Sequence, residues 1–271
     1  MKLKIPILMY HQISRQPHPN FFEYTVTPKA FEDQMKTLRL LGFVPITFNQ
    51  LLDFKEGRAD PPRKPVMITF DDILTDAIEN AVPILESSGF KAVFYVPTNY
   101  VGVNSSWMLP EVNVEFPIVD WSIVRSLDSS GYEIGSHTMN HPFLNRISRN
   151  ECHRELEGSR MKLEDFLGHE VRHLAYPFGA HDDSIKESAR QTGYYTACTT
   201  EPIIAKIGDD LFSLPRLNMG MEDSLPDFIV KIHTAKTPIR EFRIITWRLR
   251  SKIPKRMRHF IKKLLFINKS N

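Results

Sequence analysis

Val66-Met67-Ile68-Thr69-Phe70-Asp71-Asp72 is an apolar, β-rich run that stops abruptly on two carboxylates. Such a run suits a strand covered on both faces, as in a parallel sheet flanked by helices. From about Thr75 to Ser88 the pattern turns helical, and Gly89 ends it. Lys91 to Val96 then reads as a second strand, with Ala92-Val93-Phe94-Tyr95-Val96 almost continuously apolar. One strand–helix–strand unit is therefore legible around Asp71-Asp72.

The same alternation extends in both directions. Upstream, residues 5–10 read as a first strand, Thr27-Pro28 opens a helix closed by Gly42, and Phe43 to Thr47 reads as a short strand. Pro61-Pro62 marks a loop. Downstream, helices are expected over Asp120–Ser129, Ser148–Leu167 and Asp182–Thr192. Strands are expected over Tyr132–Ser136, Val171–Tyr176 and Tyr194–Cys198. Repeated strand–helix units predict a parallel α/β sheet or barrel. Chemistry in such folds gathers at the C-terminal ends of the strands. His11, Asp71-Asp72, His137 and Tyr176-Pro177-Phe178-Gly179 all follow strands, so they converge on one rim if the strands are parallel.

Bulk composition limits the remaining choices. With 271 residues, 42% of them hydrophobic, the chain can bury a full core. Cys152 and Cys198 are the two cysteines, too few for a disulfide framework. The apolar run after Met1-Lys2 is short and passes directly into Tyr10-His11-Gln12, unlike a secretory signal, and it reads as a buried strand. No run approaches the roughly 20 apolar residues of a membrane span. These features point to the cytoplasm or its membrane face.

The net charge of +3 hides an asymmetry. Lys236–Asn271 carries twelve Lys and Arg against Glu241 alone, whereas the remainder has 23 basic and 31 acidic residues. We therefore divide the chain into a domain over 1–235 and a basic amphipathic tail over 236–271. Phe242, Ile245, Trp247, Phe260 and Leu264 interleave with the tail's cations. An anionic membrane surface suits that pattern. That reading is favoured slightly over a terminal helix packed on the domain with a solvated basic face, and nucleic-acid binding is the weakest of the three.

Each chemical signal is ambiguous by itself. Adjacent carboxylates can divide into a cation ligand and a proton acceptor, or simply cap the following helix. In His137-Thr138-Met139-Asn140-His141, a helical or turn-like backbone would put both imidazoles on one face; two polar surface histidines would also satisfy the pattern. A carboxylate plus two imidazoles, however, is the usual protein share of a catalytic zinc site with an open water position. His153, His169, His173 and His181 lack such spacing and read as surface residues. Trp121 reads as core, and Trp107, in the loop spanning 100–117, as a candidate sugar contact.

Thr69-Phe70-Asp71-Asp72 followed by His137-Thr138-Met139-Asn140-His141-Pro142 resembles the signature of the polysaccharide deacetylases with NodB homology, carbohydrate esterase family 4. Leu174-Ala175-Tyr176-Pro177-Phe178-Gly179 is similar to that family's third motif, and Gly131–His137 to its approach to the histidines. The resemblance covers roughly residues 5–220. It implies a NodB-like distorted (β/α) barrel of about seven strands. It also implies Asp71 as general base, Asp72, His137 and His141 as ligands of one divalent metal, and the Phe178 amide near the oxyanion, with Tyr176 beside it. Zinc is the default ion for those ligands.

Two departures matter. Ala175 stands where the third motif usually has a base-orienting arginine; Arg216 is a candidate replacement or a surface arginine. The late motif with its acid histidine is missing, and Ile7-Leu8-Met9-Tyr10-His11 resembles that strand moved to the front, as in a circularly permuted member. His11 would then protonate the leaving amine. The activity implied is removal of an N-acetyl group from an amino sugar in a glycan, glycolipid or polysaccharide precursor. An O-acetyl esterase and a non-catalytic glycan-binding relative are the alternatives.

Overall fold

The computed structural model describes residues 3–237. The basic tail beyond Thr237 lies outside the described residues.

Seven parallel strands form one curled sheet: β1 Ile7–Tyr10, β2 Pro65–Phe70, β3 Val93–Val96, β4 Glu133–Ser136, β5 His173–Ala175, β6 Thr196–Cys198 and β7 Leu217–Asn218. Their spatial order is β6-β5-β4-β3-β2-β1-β7, and the short segment Val44–Pro45 pairs with the start of β2. Strands and helices fall where the alternation places them, although several strands are shorter than expected.

The chain from Leu211 to Asn218 joins the two edges of the sheet. Leu214 exchanges backbone hydrogen bonds with Ala197 and Thr199 beside β6, and four residues later Asn218 pairs with Met9 of β1. The sheet thereby curls into a distorted barrel.

Alternation of side chains along each strand builds two cores. Leu8, Tyr10, Ile68, Phe70 and Phe94 point outward and pack under helices through Phe31, Met35, Ala77 and Leu85. Ile7, Met67, Val93, Tyr95, Ala175 and Cys198 point inward. Phe48 and Leu51 join the inner set from a helix over Phe48–Lys55. That helix was not anticipated, although Thr47 and Gln50 form a capping box at its start. Glu133 accepts hydrogen bonds from the amides of Phe48 and Asn49 and lies 3.4 Å from His173. His173 is therefore a buried strand residue, not the surface histidine expected. A second unanticipated helix, Leu225–Thr234, follows β7. Cys152 and Cys198 are buried and unbridged.

Gly135 marks a close approach inside the barrel. A Cβ there would lie 2.5 Å from the Tyr95 ring, which is fully buried. Gly135→Ala should destabilise the protein by about 1–3 kcal/mol through overpacking. A urea midpoint unchanged from that of the parent would show that Tyr95 can move freely.

Candidate active site

The barrel ends β2 at Phe70, and the backbone then turns sharply. Asp72 has φ 70° and Ile73 φ 47°. The Thr75–Ser88 helix starts after Leu74 with no side-chain cap, so neither aspartate caps it. The reversal instead sends the two carboxylates to different partners.

Asp71 meets Arg216. The guanidinium donates to both carboxylate oxygens, at 2.6 and 2.7 Å, and its remaining donors reach the Thr199 carbonyl and Thr69 Oγ1. Arg216 is 0% exposed. It projects from the edge-joining segment into the barrel and is not a surface residue. Burial alone would raise the pKa of Asp71, but Arg216 outweighs it and holds the carboxyl well below its usual range. The same pair raises the pKa of Arg216 against the effect of burial.

Asp72 meets the histidines. His137 follows β4, and the turn to His141 is not helical, because Thr138 has φ 66° and His141 φ 55°. Of the helical or turn-like backbones that the spacing allowed, the structure has the turn, with two left-handed residues. Each costs about 1–2 kcal/mol for a residue with a Cβ. Thr138 Oγ1 supports the turn by accepting from the His141 amide.

The Nε2 atoms of His137 and His141 are 3.2 Å apart, and Asp72 Oδ1 lies 3.5 and 3.4 Å from them. Ligands about 2.0–2.1 Å from a tetrahedral ion are separated by about 3.3–3.4 Å, so the three atoms have the spacing of ligands around one such ion. His137 Nδ1 donates to the Ala175 carbonyl at 2.8 Å, which leaves its Nε2 as a lone pair directed at Asp72. Asp72 Oδ1 is buried without a hydrogen-bond partner. Burial keeps both imidazoles neutral, lowering the pKa of His137 and that of His141 to about 3. Burial raises the pKa of Asp72. The donor set fits a divalent ion.

His11 completes the cluster. Its Nε2 is 4.0 Å from Asp71 Oδ2. Burial lowers its pKa, with Asp71 opposing. These groups open onto a cavity of about 510 Å³ that Trp107, Tyr24 and Phe178 also line. Trp107 stacks on the His141 ring at 4.7 Å, so the loop tryptophan does reach the site. Trp121 packs on Phe166 instead. Phe178 has φ 58° and sits at the rim against His141 and Phe143.

Tyr176 does not belong with these residues. Its side chain is fully buried and its hydroxyl donates to the Phe212 carbonyl, in a separate apolar cluster. Two contributors left no sequence signal because they act through backbone oxygens: Ala175, which orients His137, and Thr199, which holds Arg216.

Residues 58–197, about half of the chain, match the profile of polysaccharide deacetylases. The chain is 24% identical over 235 residues to the poly-β-1,6-N-acetyl-D-glucosamine N-deacetylase of Staphylococcus epidermidis, covering 78% of this chain and 77% of that one. Among solved structures it resembles the Streptococcus pyogenes deacetylase PplD in complex with acetate, with TM-score 0.72 and 26% identity over 87% of this chain and all of that one. A polysaccharide deacetylase from Bacillus cereus is 29% identical with TM-score 0.71, covering 85% and 69% of the two chains.

Removing one partner of the buried pair tests its energetic weight. Arg216→Gln should cost about 3–5 kcal/mol at neutral pH, because Asp71 is left as an uncompensated buried charge. A carboxylate with a depressed folded pKa stabilises above its unfolded pKa and loses that contribution as pH falls. The gap between parent and variant in chemical denaturation should therefore narrow below about pH 4. A gap independent of pH would separate Arg216 from the ionisation of Asp71.

Proposed function

The chain belongs to the polysaccharide deacetylase family, and from that premise we propose that it is a metal-dependent hydrolase removing the N-acetyl group from an amino sugar, N-acetylglucosamine by preference, within a glycan or its precursor. The observation that carries this reading is the opposite fate of two adjacent carboxylates. Asp71 is locked in an ion pair, whereas Asp72 Oδ1 is left to two neutral imidazoles. The named substrate of the Staphylococcus epidermidis relative supports the choice of sugar.

Asp72, His137 and His141 would hold the ion, with zinc the ion proposed. Once bound, it would polarise the acetyl carbonyl and acidify a water. Arg216 keeps Asp71 ionised and oriented, so that it accepts the proton as water attacks. Phe178, at the rim, is assigned to the developing oxyanion through its backbone amide. His11, just past the strand that lies between Pro65–Phe70 and Leu217–Asn218, is assigned to protonate the departing nitrogen. An amine leaves poorly without that proton, which favours an amide over an ester substrate. The circularly permuted arrangement rests on this placement of His11 at the front of the chain.

The tail over 236–271 is assigned to an anionic membrane surface, on the strength of twelve cations against one acid; the proposed location is the cytoplasmic face. Among the described residues no helix is long and apolar enough to cross a membrane. The full chain should sediment with anionic vesicles and a chain ending at residue 237 should not; sedimentation of both would remove the tail from that role.

Acetate release from N- and O-acetylated sugars, with zinc restored, tests the catalytic reading. Asp71→Asn should keep its zinc while turnover falls by about 10²–10⁴-fold, and His11→Ala should lose rate within the same range. Full activity in Asp71→Asn would refute its role as base. Release from O-acetylated sugars alone would make the protein an esterase.

A further inference from the structure

The turn between the two histidines is held from outside the cluster, by the Arg149–Leu167 helix. Glu155 of that helix is 9% exposed, and its Oε2 accepts from the backbone amides of Met139 and Asn140 at 2.9 and 2.8 Å. Its Oε1 accepts from Asn140 Nδ2 at 2.6 Å. Asn140 Oδ1 in turn accepts from Asn99 Nδ2 at 2.9 Å, and Asn99 Oδ1 accepts from Lys162 Nζ at 3.2 Å. Lys162 lies two turns beyond Glu155 on the same helix. The hydrogen bonds therefore run from the helix, through two asparagines on two separate loops, and back to the helix.

Chemistry fixes the direction of this circuit. Lysine at one end has only donors, and an ionised glutamate at the other has only acceptors. Each asparagine amide between them has one orientation that satisfies both neighbours. The packing underneath is close. A Cβ on Gly158 would lie 2.6 Å from Met139 Sδ, and Ser159 Oγ is 2.7 Å from Ser136 Oγ, at the end of the strand that delivers His137. The two loops are also joined directly, by hydrogen bonds from the Thr98 and Asn99 amides to the Thr138 and Met139 carbonyls.

We propose that Glu155 is a positioning residue for the metal site: as the acceptor end of this circuit, it holds the left-handed turn that brings His141 to His137 and Asp72. The proposal rests on the reading of those three residues as metal ligands, and it extends that reading to a residue that touches none of them.

The test is zinc affinity of the full chain, stripped and titrated against a chromogenic chelator, with apo-protein thermal unfolding as the check on folding. Glu155→Ala strands two backbone amides and should weaken zinc binding by roughly 10- to 100-fold, the range for partners that orient ligands. Glu155→Gln should weaken it by roughly tenfold, the low end of that range. Its amide nitrogen faces another donor at Asn140, and turning Asn140 only passes the conflict to Asn99 and Lys162. Asn140→Asp alone sets two carboxylates against each other and should also weaken binding. Combining Glu155→Gln with Asn140→Asp matches every donor to an acceptor again and keeps the charge, so affinity should return toward that of the parent. Parent-like zinc binding in Glu155→Gln and Glu155→Ala would overturn the proposal while leaving the metal reading intact. A double variant no tighter than the weaker single variant would overturn the circuit. A parent chain that takes up no zinc would overturn the metal reading itself, and the proposal with it.

Discussion

The buried pair of Asp71 and Arg216 is the interaction on which the site's arrangement depends. Each ion loses several kcal/mol of hydration on burial, and only good geometry with further hydrogen bonds offsets that loss. Arg216 supplies both, through two short bonds to Asp71 and others to Thr199 and Thr69. It can do so only because Leu211–Asn218 crosses between the edges of the sheet. Closing the barrel and ionising Asp71 are thus physically coupled, since a segment that failed to close would leave the carboxylate buried without a partner.

That pairing also defines its neighbour. Arg216 is taken up by Asp71, so Asp72 faces two imidazoles that burial keeps neutral. The environment drives two adjacent carboxyls apart: one is held ionised by a cation, while the other has its pKa raised by burial. Here the separation arises from the backbone reversal at Asp72 and Ile73, which no cap or helix requires.

Much of this was legible in the sequence, and the remainder failed for identifiable reasons. Strand ends marked His11, Asp71, Asp72 and His137, because apolar runs stop where polar residues begin. Arg216 stayed ambiguous because its burial depends on a closing segment with almost no regular periodicity. The interval between His137 and His141 left a helical and a turn-like backbone open, and the structure brings the rings together by left-handed turns. Tyr176 lies inside a matching motif, but its side chain follows the alternation of β5 into the outer packing and away from the cavity. His173 looked like a surface residue because its partner Glu133 is forty residues away in sequence. Glu155 was hidden in an ordinary polar helix, since its partners are backbone amides.

Backbone strain marks the site independently of the side chains. Of the seven described non-glycine residues with a left-handed backbone, Asp72, Ile73, Thr138, His141 and Phe178 lie on the three loops at the C-terminal ends of the strands, and the other two, Asn113 and Ala235, end helices. Such conformations persist only where the surroundings over-determine them. The supports are visible: the Asp71 amide bonded to Tyr10, the His141 amide to Thr138, and the turn amides to Glu155. The same loops hold Asp72 Oδ1 and His141 Nδ1 buried without partners. A ligand that satisfies Asp72 in the folded state but not in the unfolded chain stabilises the fold by linkage. The parallel sheet can carry this strained rim because its central strands, Ile7–Tyr10 and Pro65–Phe70, are buried along their whole length and paired on both sides.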